Sequence, residues 1–245
     1  MPRFDPAMPL VHPLPDPDRV EVRRGLTYAS FGGRELAMDL YRPAGREAGA
    51  RLPAVLLVHG EAPPELLRGV LGWGQYQGWG RLLAGEGLAG VAFEHSAVAE
   101  AGFEAVVDQV GAALAAVRDR AGELGLDPGH LAVAGFSAGV PLSAAVLAAG
   151  RVDGVRCAVL CYGPPGDLEP RPELPPLLVV RAGEDDPDLN GGIDRFVAAA
   201  ADRGLPVELV EVPDGHHAFD VLDDDDASRA AIRRMLDFLR EHLAA

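Results

Sequence analysis

The chain has 245 residues, and its hydrophobic content of 48% is ample for a sizeable core. That length fits one large α/β domain or two small ones. The net charge is −15 at pH 7 and all 22 basic residues are arginine, which argues against nucleic acid or an anionic membrane as a partner. No run of about eighteen apolar residues occurs, so the sequence predicts no membrane-spanning helix.

The two cysteines, Cys157 and Cys161, lie in an apolar stretch that predicts a buried strand. On a strand they share one face but lie about 13 Å apart, which is too far for a disulfide. The lack of a disulfide framework indicates a reducing compartment. The first residues show no basic region followed by an apolar one, so we expect no signal peptide and a cytoplasmic protein.

The chain begins with a proline-rich stretch, because residues 1–18 contain six prolines. We expect an extended arm that lies on the domain or is partly disordered. Residues 19–245 show no linker and no internal repeat, and they are predicted to form a single domain. This domain is predicted to open with three short strands separated from one another by glycines, at 20–24, 26–30 and 35–41, with a turn at Gly32-Gly33.

Strand and helix patterns alternate along the rest of the chain. The strands are predicted at 53–58, 89–93, 131–136, 155–161, 177–180 and 207–212. Apolar faces predict helices around 79–85, 103–117, 140–150, 193–200 and 232–243. This alternation is typical of an α/β fold with a mostly parallel central sheet and helices on both faces, here with antiparallel N-terminal strands. In such sheets the chemistry collects at the carboxyl ends of the strands.

The sequence Gly135-Phe136-Ser137-Ala138-Gly139 follows a predicted strand and precedes a predicted helix. G-x-S-x-G between a strand and a helix is the pattern of a nucleophile elbow, in which the serine stands on a sharp turn. The helix N-terminus behind the serine favours a developing negative charge. We therefore predict Ser137 as a nucleophile; the alternative is a glycine-rich turn with an incidental serine.

A serine hydroxyl needs a base, and the base needs an acid to orient it. Adjacent acids follow one late strand and adjacent histidines follow the next, in the order that this architecture uses: Glu184, Asp185 and Asp186, then His216 and His217. Taken alone, such acids are usually solvated surface, and such a histidine pair is surface or a metal site. Their joint placement behind two strands favours a catalytic triad.

The oxyanion that forms when a serine attacks a carbonyl also needs two backbone donors. We expect one from Ala138, directly after the serine. The second should come from the loop after the strand at 53–58, where Glu61 N–H is our assignment and Gly60 N–H the alternative. His95, just past the strand at 89–93, is a further candidate for lining the pocket.

On these motifs the chain resembles α/β-hydrolases of the dienelactone-hydrolase-like group over residues 20–245. The resemblance rests on the elbow, the acid loop at 183–186, Val58-His59-Gly60 and His217-Ala218-Phe219. In that group the catalytic histidine precedes a small residue and phenylalanine, which implies His217 and not His216. The acid usually lies three residues after the glycine of its loop, which implies Asp186; close relatives place it two after, which gives Asp185 as the alternative.

Two features of the sequence narrow this resemblance. Dienelactone hydrolases proper carry cysteine at the elbow, whereas this chain has Ser137, which favours a serine esterase. Many lipase-like relatives insert a helical cap after the sixth strand. Here residues 162–176 are short and rich in proline, so we expect no large cap domain.

The sequence thus predicts a serine hydrolase that cleaves carboxylic esters or lactones of small soluble substrates through an acyl-enzyme intermediate. The alternatives are an acyltransferase or peptidase on the same triad, or a non-catalytic hydrolase-like binding protein. We expect a small-molecule substrate and neither a cofactor nor a metal, and the acid run at 223–226 is interpreted as a solvated helix start. The sequence is also compatible with a homo-oligomer.

Overall fold

The structure, a computed structural model, describes residues 5–45, 49–150 and 152–244. Within these ranges the chain forms eight β-strands, which are β1 (Val20–Phe31), β2 (Arg34–Pro43), β3 (Leu52–Val58), β4 (Ala89–Phe93), β5 (Leu126–Phe136), β6 (Val155–Cys161), β7 (Leu177–Ala182) and β8 (Val207–Val212). Most of them coincide with apolar runs that the sequence predicts as strands.

The α-helices of the same ranges alternate with the strands from β3 onward. They are α1 (Pro64–Leu67), α2 (Gly74–Gly85), α3 (Val98–Ala101), α4 (Phe103–Asp119), α5 (Ala121–Leu124), α6 (Gly139–Ala148), α7 (Pro187–Asp202), α8 (Phe219–Leu222) and α9 (Asp226–Leu243). Short 3₁₀ helices lie at Pro17–Arg19 and Val70–Gly72.

The strands form one sheet in the order β1-β2-β4-β3-β5-β6-β7-β8. β2 pairs antiparallel with both β1 and β4, and the remaining neighbours pair parallel. The predicted α/β fold class, with a mostly parallel sheet and antiparallel N-terminal strands, is therefore confirmed. The carboxyl ends of β3 to β8 point to one edge of the sheet, where loops can combine their side chains.

Helices cover both faces of the sheet, and alternate residues of a strand enter different cores. Val55 and Leu57 of β3 pack in a core that includes apolar residues of α2 and α9. Leu56 and Val58 pack on the opposite face, with apolar residues of α4 and α6. This double burial explains why the strand is a continuous apolar run.

The N-terminal strands differ from the prediction at one point. Residues 20–24 and 26–30 belong to a single strand, β1, because Arg24 and Gly25 form a bulge opposite Asp39 of β2. The Asp39 carboxylate accepts hydrogen bonds from the Arg24 guanidinium and from the Gly25 N–H, both at 2.8 Å. This side chain thus supplies the partner that the ladder lacks, and the strand continues past the glycine.

The described part of the proline-rich arm lies on the domain. Leu10 is buried against α2, and Gly74 N–H donates to Pro6 O at 2.8 Å. A Cβ at Gly74 would collide with the Met8 carbonyl, so the helix needs a glycine where the arm crosses it. Residues 1–4 of the arm lie outside the described residues, and the division into arm and domain stays a prediction.

Residues 162–176 connect β6 to β7 without a helix or strand, as expected for a chain with no large cap domain. Cys157 and Cys161 are buried and unbonded to each other, in agreement with the predicted buried strand. Among the described residues we find no helix that is long and apolar enough to cross a bilayer.

Candidate active site

The elbow predicted around Ser137 is a strained turn between β5 and α6. Ser137 has a φ of 54°, a left-handed conformation that side chains rarely adopt. A Cβ at Gly135 would lie 2.6 Å from Ser143 Oγ, and one at Gly139 would collide with Val58 O, so neither glycine can be replaced without movement. The two glycines therefore let the strand, the turn and the helix approach each other closely, with the serine at the tip.

A chain of hydrogen bonds links three side chains from three loops. Ser137 Oγ lies 2.7 Å from His217 Nε2, and His217 Nδ1 lies 2.7 Å from Asp185 Oδ2. The Asp185 side chain is only 2% exposed, whereas that of His217 is 23% exposed. With its acid buried behind it and the serine in front, the imidazole can take a proton from the hydroxyl.

The expectation that Asp186 contacts the histidine is wrong. Asp186 is exposed and caps α7, where its Oδ1 accepts the Asp188 N–H at 2.8 Å. Because adjacent side chains of this loop point in different directions, only Asp185 turns toward His217. The backbone N–H of Asp186 instead donates to Asp185 Oδ1 at 2.8 Å, which orients that carboxylate.

The loops that carry Asp185 and His217 are joined through their backbones. Gly183 N–H donates to Val212 O at 2.8 Å, and Glu184 N–H donates to Gly215 O at 2.9 Å. These bonds continue the parallel pairing of β7 with β8 beyond the strand ends. The sheet itself therefore sets the distance between the acid and the histidine.

His216 points away from the serine and pairs with Asp223. The Asp223 carboxylate accepts the His216 backbone N–H at 2.7 Å and lies 2.9 Å from His216 Nδ1. The acid run is thus only in part a solvated helix start: Asp225 caps α9 through the Ser228 N–H at 2.7 Å, but Asp223 faces the histidine loop. No cluster of potential metal ligands occurs within the described ranges.

The loop after β3 lies against Ser137. A Cβ at Gly60 would be 2.9 Å from Ser137 Cβ, so only glycine fits there. Gly60 N–H donates to Tyr76 Oη at 3.2 Å, and Glu61 follows it along the edge of the cavity. Ala138 follows the serine at the start of α6, and a Cβ at the next residue, Gly139, would collide with Val58 O, so this end of the helix also lies close to the loop after β3.

A cavity of about 320 Å³ opens beside the serine. Of the predicted site residues, Gly60, Glu61, Ser137 and His217 line it. The lining also includes residues that the sequence analysis did not assign to the site: Ala62, Trp73, Gln75, Tyr76, Phe136, Tyr162, Ala218 and Leu222. Tyr162 follows β6 directly, so the rule that chemistry collects at strand ends could have found it. Trp73, Gln75 and Tyr76 come from the start of α2, and no sequence motif marks them.

Ser137, Tyr162 and Ala218 are the non-glycine residues with positive φ among those the structure describes. All three line the cavity. The Tyr162 ring meets the His217 imidazole edge-on, with ring centroids 5.0 Å apart. Among these residues the strained backbone conformations therefore occur at the cavity, and such clustering is typical of a functional site.

A buried carboxylate, Asp220, supports the wall of the cavity. It accepts hydrogen bonds from Trp79 Nε1 at 2.8 Å, from Gln75 Nε2 at 2.9 Å and from Tyr162 Oη at 3.1 Å. Burial raises the pKa of Asp220, and these three donors oppose that rise by stabilising the ionised form. The network ties the helix that carries Gln75 to the segment that follows His217.

His95 does not line the cavity. Its ring is buried and stacks on that of His59, with centroids 3.4 Å apart and an interplanar angle of 9°. Burial lowers the pKa of His95 to about 4 and that of His59 well below its ordinary value. Both rings are therefore neutral at pH 7 and act in packing and hydrogen bonding.

We compared the chain with family models, curated proteins and solved structures. A family model described as BD-FAE matches residues 38–154. No curated protein matches the chain. A solved thermophilic esterase from the planctomycete Thermogutta terrifontis is 21% identical, with 92% of this chain and 94% of that chain covered and a TM-score of 0.71.

Two further solved structures are similar over most of their length. A fungal esterase from Rhizomucor miehei is 22% identical, with 95% of this chain and 86% of that chain covered and a TM-score of 0.73. An α/β-hydrolase enzyme from a Medee basin deep-sea metagenome library is 18% identical, with 93% and 100% covered and a TM-score of 0.72. The chain therefore has the α/β-hydrolase fold.

Proposed function

We propose that the chain is a serine hydrolase that cleaves carboxylic esters or lactones of small soluble substrates. The observation that carries this proposal is the hydrogen-bonded chain from Ser137 through His217 to Asp185 at the edge of an open cavity. The likeness to solved esterases supports ester hydrolysis as the reaction. The narrower resemblance to the dienelactone-hydrolase-like group and the cytoplasmic location stay predictions.

In this mechanism Ser137 Oγ attacks the carbonyl carbon while His217 Nε2 takes its proton. Asp185 holds the imidazole with its Nδ1–H donated to the carboxylate and stabilises the imidazolium that forms. His217 then gives the proton to the leaving alkoxide, which leaves an acyl group on the serine. Water, activated by the same histidine, releases the acid and restores the hydroxyl.

The tetrahedral intermediate carries a negative oxygen that needs backbone donors. We assign the Ala138 N–H and the Glu61 N–H to this role. Gly60, the alternative to Glu61, already donates its N–H to Tyr76 Oη at 3.2 Å, which favours Glu61.

The cavity supports a compact and uncharged acyl group as the substrate feature. Its volume of about 320 Å³ and its aromatic lining suit a short or aromatic acyl chain. Neither lysine nor arginine is among the residues described as lining it, so the lining offers no cation to pair with a carboxylate on the substrate. A substrate with a free carboxylate near the ester would therefore be repelled, in a protein whose net charge is already −15.

The test combines covalent labelling with a panel of esters. A fluorophosphonate probe should label wild-type protein at Ser137 and leave Ser137→Ala unlabelled. We expect hydrolysis of p-nitrophenyl butyrate to exceed that of the mono-p-nitrophenyl ester of succinate, which has a similar length and a free carboxylate. Product analysis with added alcohol or a peptide distinguishes hydrolysis from acyl transfer and peptide cleavage. Absence of both labelling and turnover would leave only a binding role.

A further inference from the structure

The loop that carries Glu61 is fastened to the loop after the neighbouring strand. β3 and β4 lie side by side and parallel, so residues 59–61 and 94–98 emerge next to each other. His95 N–H donates to His59 Nε2 at 3.2 Å, and His95 Nε2 lies 3.2 Å from His59 O. Farther along the two loops, the Glu61 carboxylate accepts the Val98 N–H at 3.0 Å. We call these side chains of His59, Glu61 and His95 the loop clasp.

The partners of His59 fix its hydrogen-bonding state. Its Nε2 faces an N–H donor and must accept, whereas its Nδ1 lies 2.8 Å from Gly60 O and must donate. The tautomer with hydrogen on Nδ1 satisfies both contacts at once. The His59 ring therefore holds the carbonyl of Gly60 from one side while it is itself held by the loop after β4.

The Glu61 side chain needs such an anchor for an electrostatic reason. A carboxylate on the residue that donates to an oxyanion would oppose the negative charge if it turned toward the serine. Its bond to Val98 N–H directs it away from Ser137 and along the neighbouring loop. The same bond limits rotation of the peptide unit that carries the Glu61 N–H.

We propose that His95 and the Glu61 side chain are positioning residues, which hold the Glu61 N–H where the oxyanion of an ester intermediate forms. This inference rests on the proposed function, because it concerns stabilisation of that intermediate. Gly60, packed against Ser137 Cβ, connects the clasp to the nucleophile, so a small rotation of the loop changes the distance between donor and oxyanion.

The experiment measures kcat and KM separately for p-nitrophenyl butyrate. Losing an oxyanion donor costs about 10²–10³-fold in kcat, so a displaced donor should cost about tenfold. We expect that loss in kcat for Glu61→Ala and for His95→Leu, with KM changed less than about twofold. Glu61→Gln keeps an acceptor for Val98 N–H, and His95→Phe keeps a ring stacked on His59. The kcat of Glu61→Gln should therefore be several-fold higher than that of Glu61→Ala, and the kcat of His95→Phe several-fold higher than that of His95→Leu.

A transition-state mimic gives an independent readout. A trifluoromethyl ketone adds to the serine and forms a charged tetrahedral adduct, so its Ki should rise by the same factor as kcat/KM falls. Glu100→Gln removes an exposed acid from α3 near Val98 and serves as the control, with kcat and Ki unchanged.

The clasp is refuted if Glu61→Ala and His95→Leu are folded and keep kcat within twofold of wild type, or if only KM changes. Should either variant fail to fold, Glu61→Leu or His95→Met takes its place, because each also removes the side-chain contact; a folded protein with kcat and Ki within twofold of wild type would refute the proposal. A wild-type protein that neither labels with fluorophosphonate nor turns over esters would instead refute the proposed function.

Discussion

The adjacent histidines His216 and His217 each pair with an aspartate, and the two pairs differ in what lies beyond them. His217 and Asp185 are 2.7 Å apart, and His216 and Asp223 are 2.9 Å apart, so the hydrogen bonds are equally good. His217 presents its second nitrogen to Ser137 Oγ. For His216 the structure gives a second bond to the same acid, through its own backbone N–H.

The two pairs also differ in how far along the chain they reach. Asp185 and Ser137 lie 32 and 80 positions from His217 along the chain, so this pair joins distant loops at the sheet edge. Asp223 lies only 7 positions from His216 and closes one local turn. We infer that the pair His216–Asp223, the local pair, stabilises the loop that carries His217.

The strongest test of this comparison removes each histidine in turn. Because His217 Nε2 lies 2.7 Å from Ser137 Oγ, the proposed nucleophile, His217→Gln and Ser137→Ala should each lower kcat by about 10⁴-fold or more. His216→Gln should lower it less than tenfold. Steady-state ester hydrolysis on folded, purified variants measures these values, and a dead His216→Gln enzyme beside an active His217→Gln enzyme would reverse the assignment.

The acids provide the second test. Asp185→Asn should cost about 10³–10⁴-fold in kcat, because an amide in place of the carboxylate favours the wrong imidazole tautomer. Asp186→Asn is the matched control, since asparagine caps a helix as well as aspartate does and α7 should be unaffected. A large loss in Asp186→Asn alone would return the acid's role to that residue.

The third test concerns the buried histidines His59 and His95, and it follows the free energy of unfolding as the pH is lowered. Burial lowers the pKa of His95 to about 4, while the unfolded chain titrates near 6.5. The unfolded state therefore binds more protons as the pH falls from about 6.5 to about 4, and stability is lost over that window. His95 alone corresponds to about 3 kcal/mol at the acidic end.

His95→Phe should lose this pH dependence in part, as measured by urea unfolding at pH 7, 5.5 and 4. Burial raises the pKa of Asp220, so its protonation favours the folded state on acidification and acts in the opposite direction. Because Asp220 is present in both proteins, its contribution cancels in their difference. Identical pH dependence in wild type and His95→Phe would show that the buried ring titrates normally.

The smallest expected effect concerns the local pair. Asp223→Ala removes the acceptor of two hydrogen bonds and should lower the free energy of unfolding by about 1–3 kcal/mol, with a several-fold fall in kcat as the histidine loop loosens. Asp224→Ala, at an exposed neighbour, is the control and should change neither. An unchanged Asp223→Ala would mean that the His216 pair contributes nothing to the loop.

The parts of the fold that depend on local sequence were predictable. Apolar runs and their alternation with helices gave the sheet class, and the glycines around Ser137 gave the elbow, because both are set by residues close together in the chain. The division of β1 into two strands was wrong. A glycine such as Gly25 usually interrupts a strand, but here its N–H donates to the carboxylate of Asp39 on β2, and the strand continues.

What depends on side-chain direction could not be predicted. Asp185 and Asp186 are identical in type, and the choice between them follows from which one caps α7. The cavity wall formed by Trp73 and Tyr76 depends on how α2 lies across the sheet, and no periodicity marks that position. His95 was a candidate cavity residue, and only its contact with His59 reveals that it faces the loop behind the cavity.

The arm has a consequence for the synthesis of the chain. Val11 N–H donates to Asp220 O at 2.9 Å, and His12 lies 3.1 Å from Arg233, 221 positions away. The arm is therefore synthesised long before α8 and α9, yet it cannot complete its contacts until both helices have been made. Its prolines lack the N–H groups with which a segment pairs along a strand edge, so the arm is poorly suited to mispair with an exposed strand before these partners have been made.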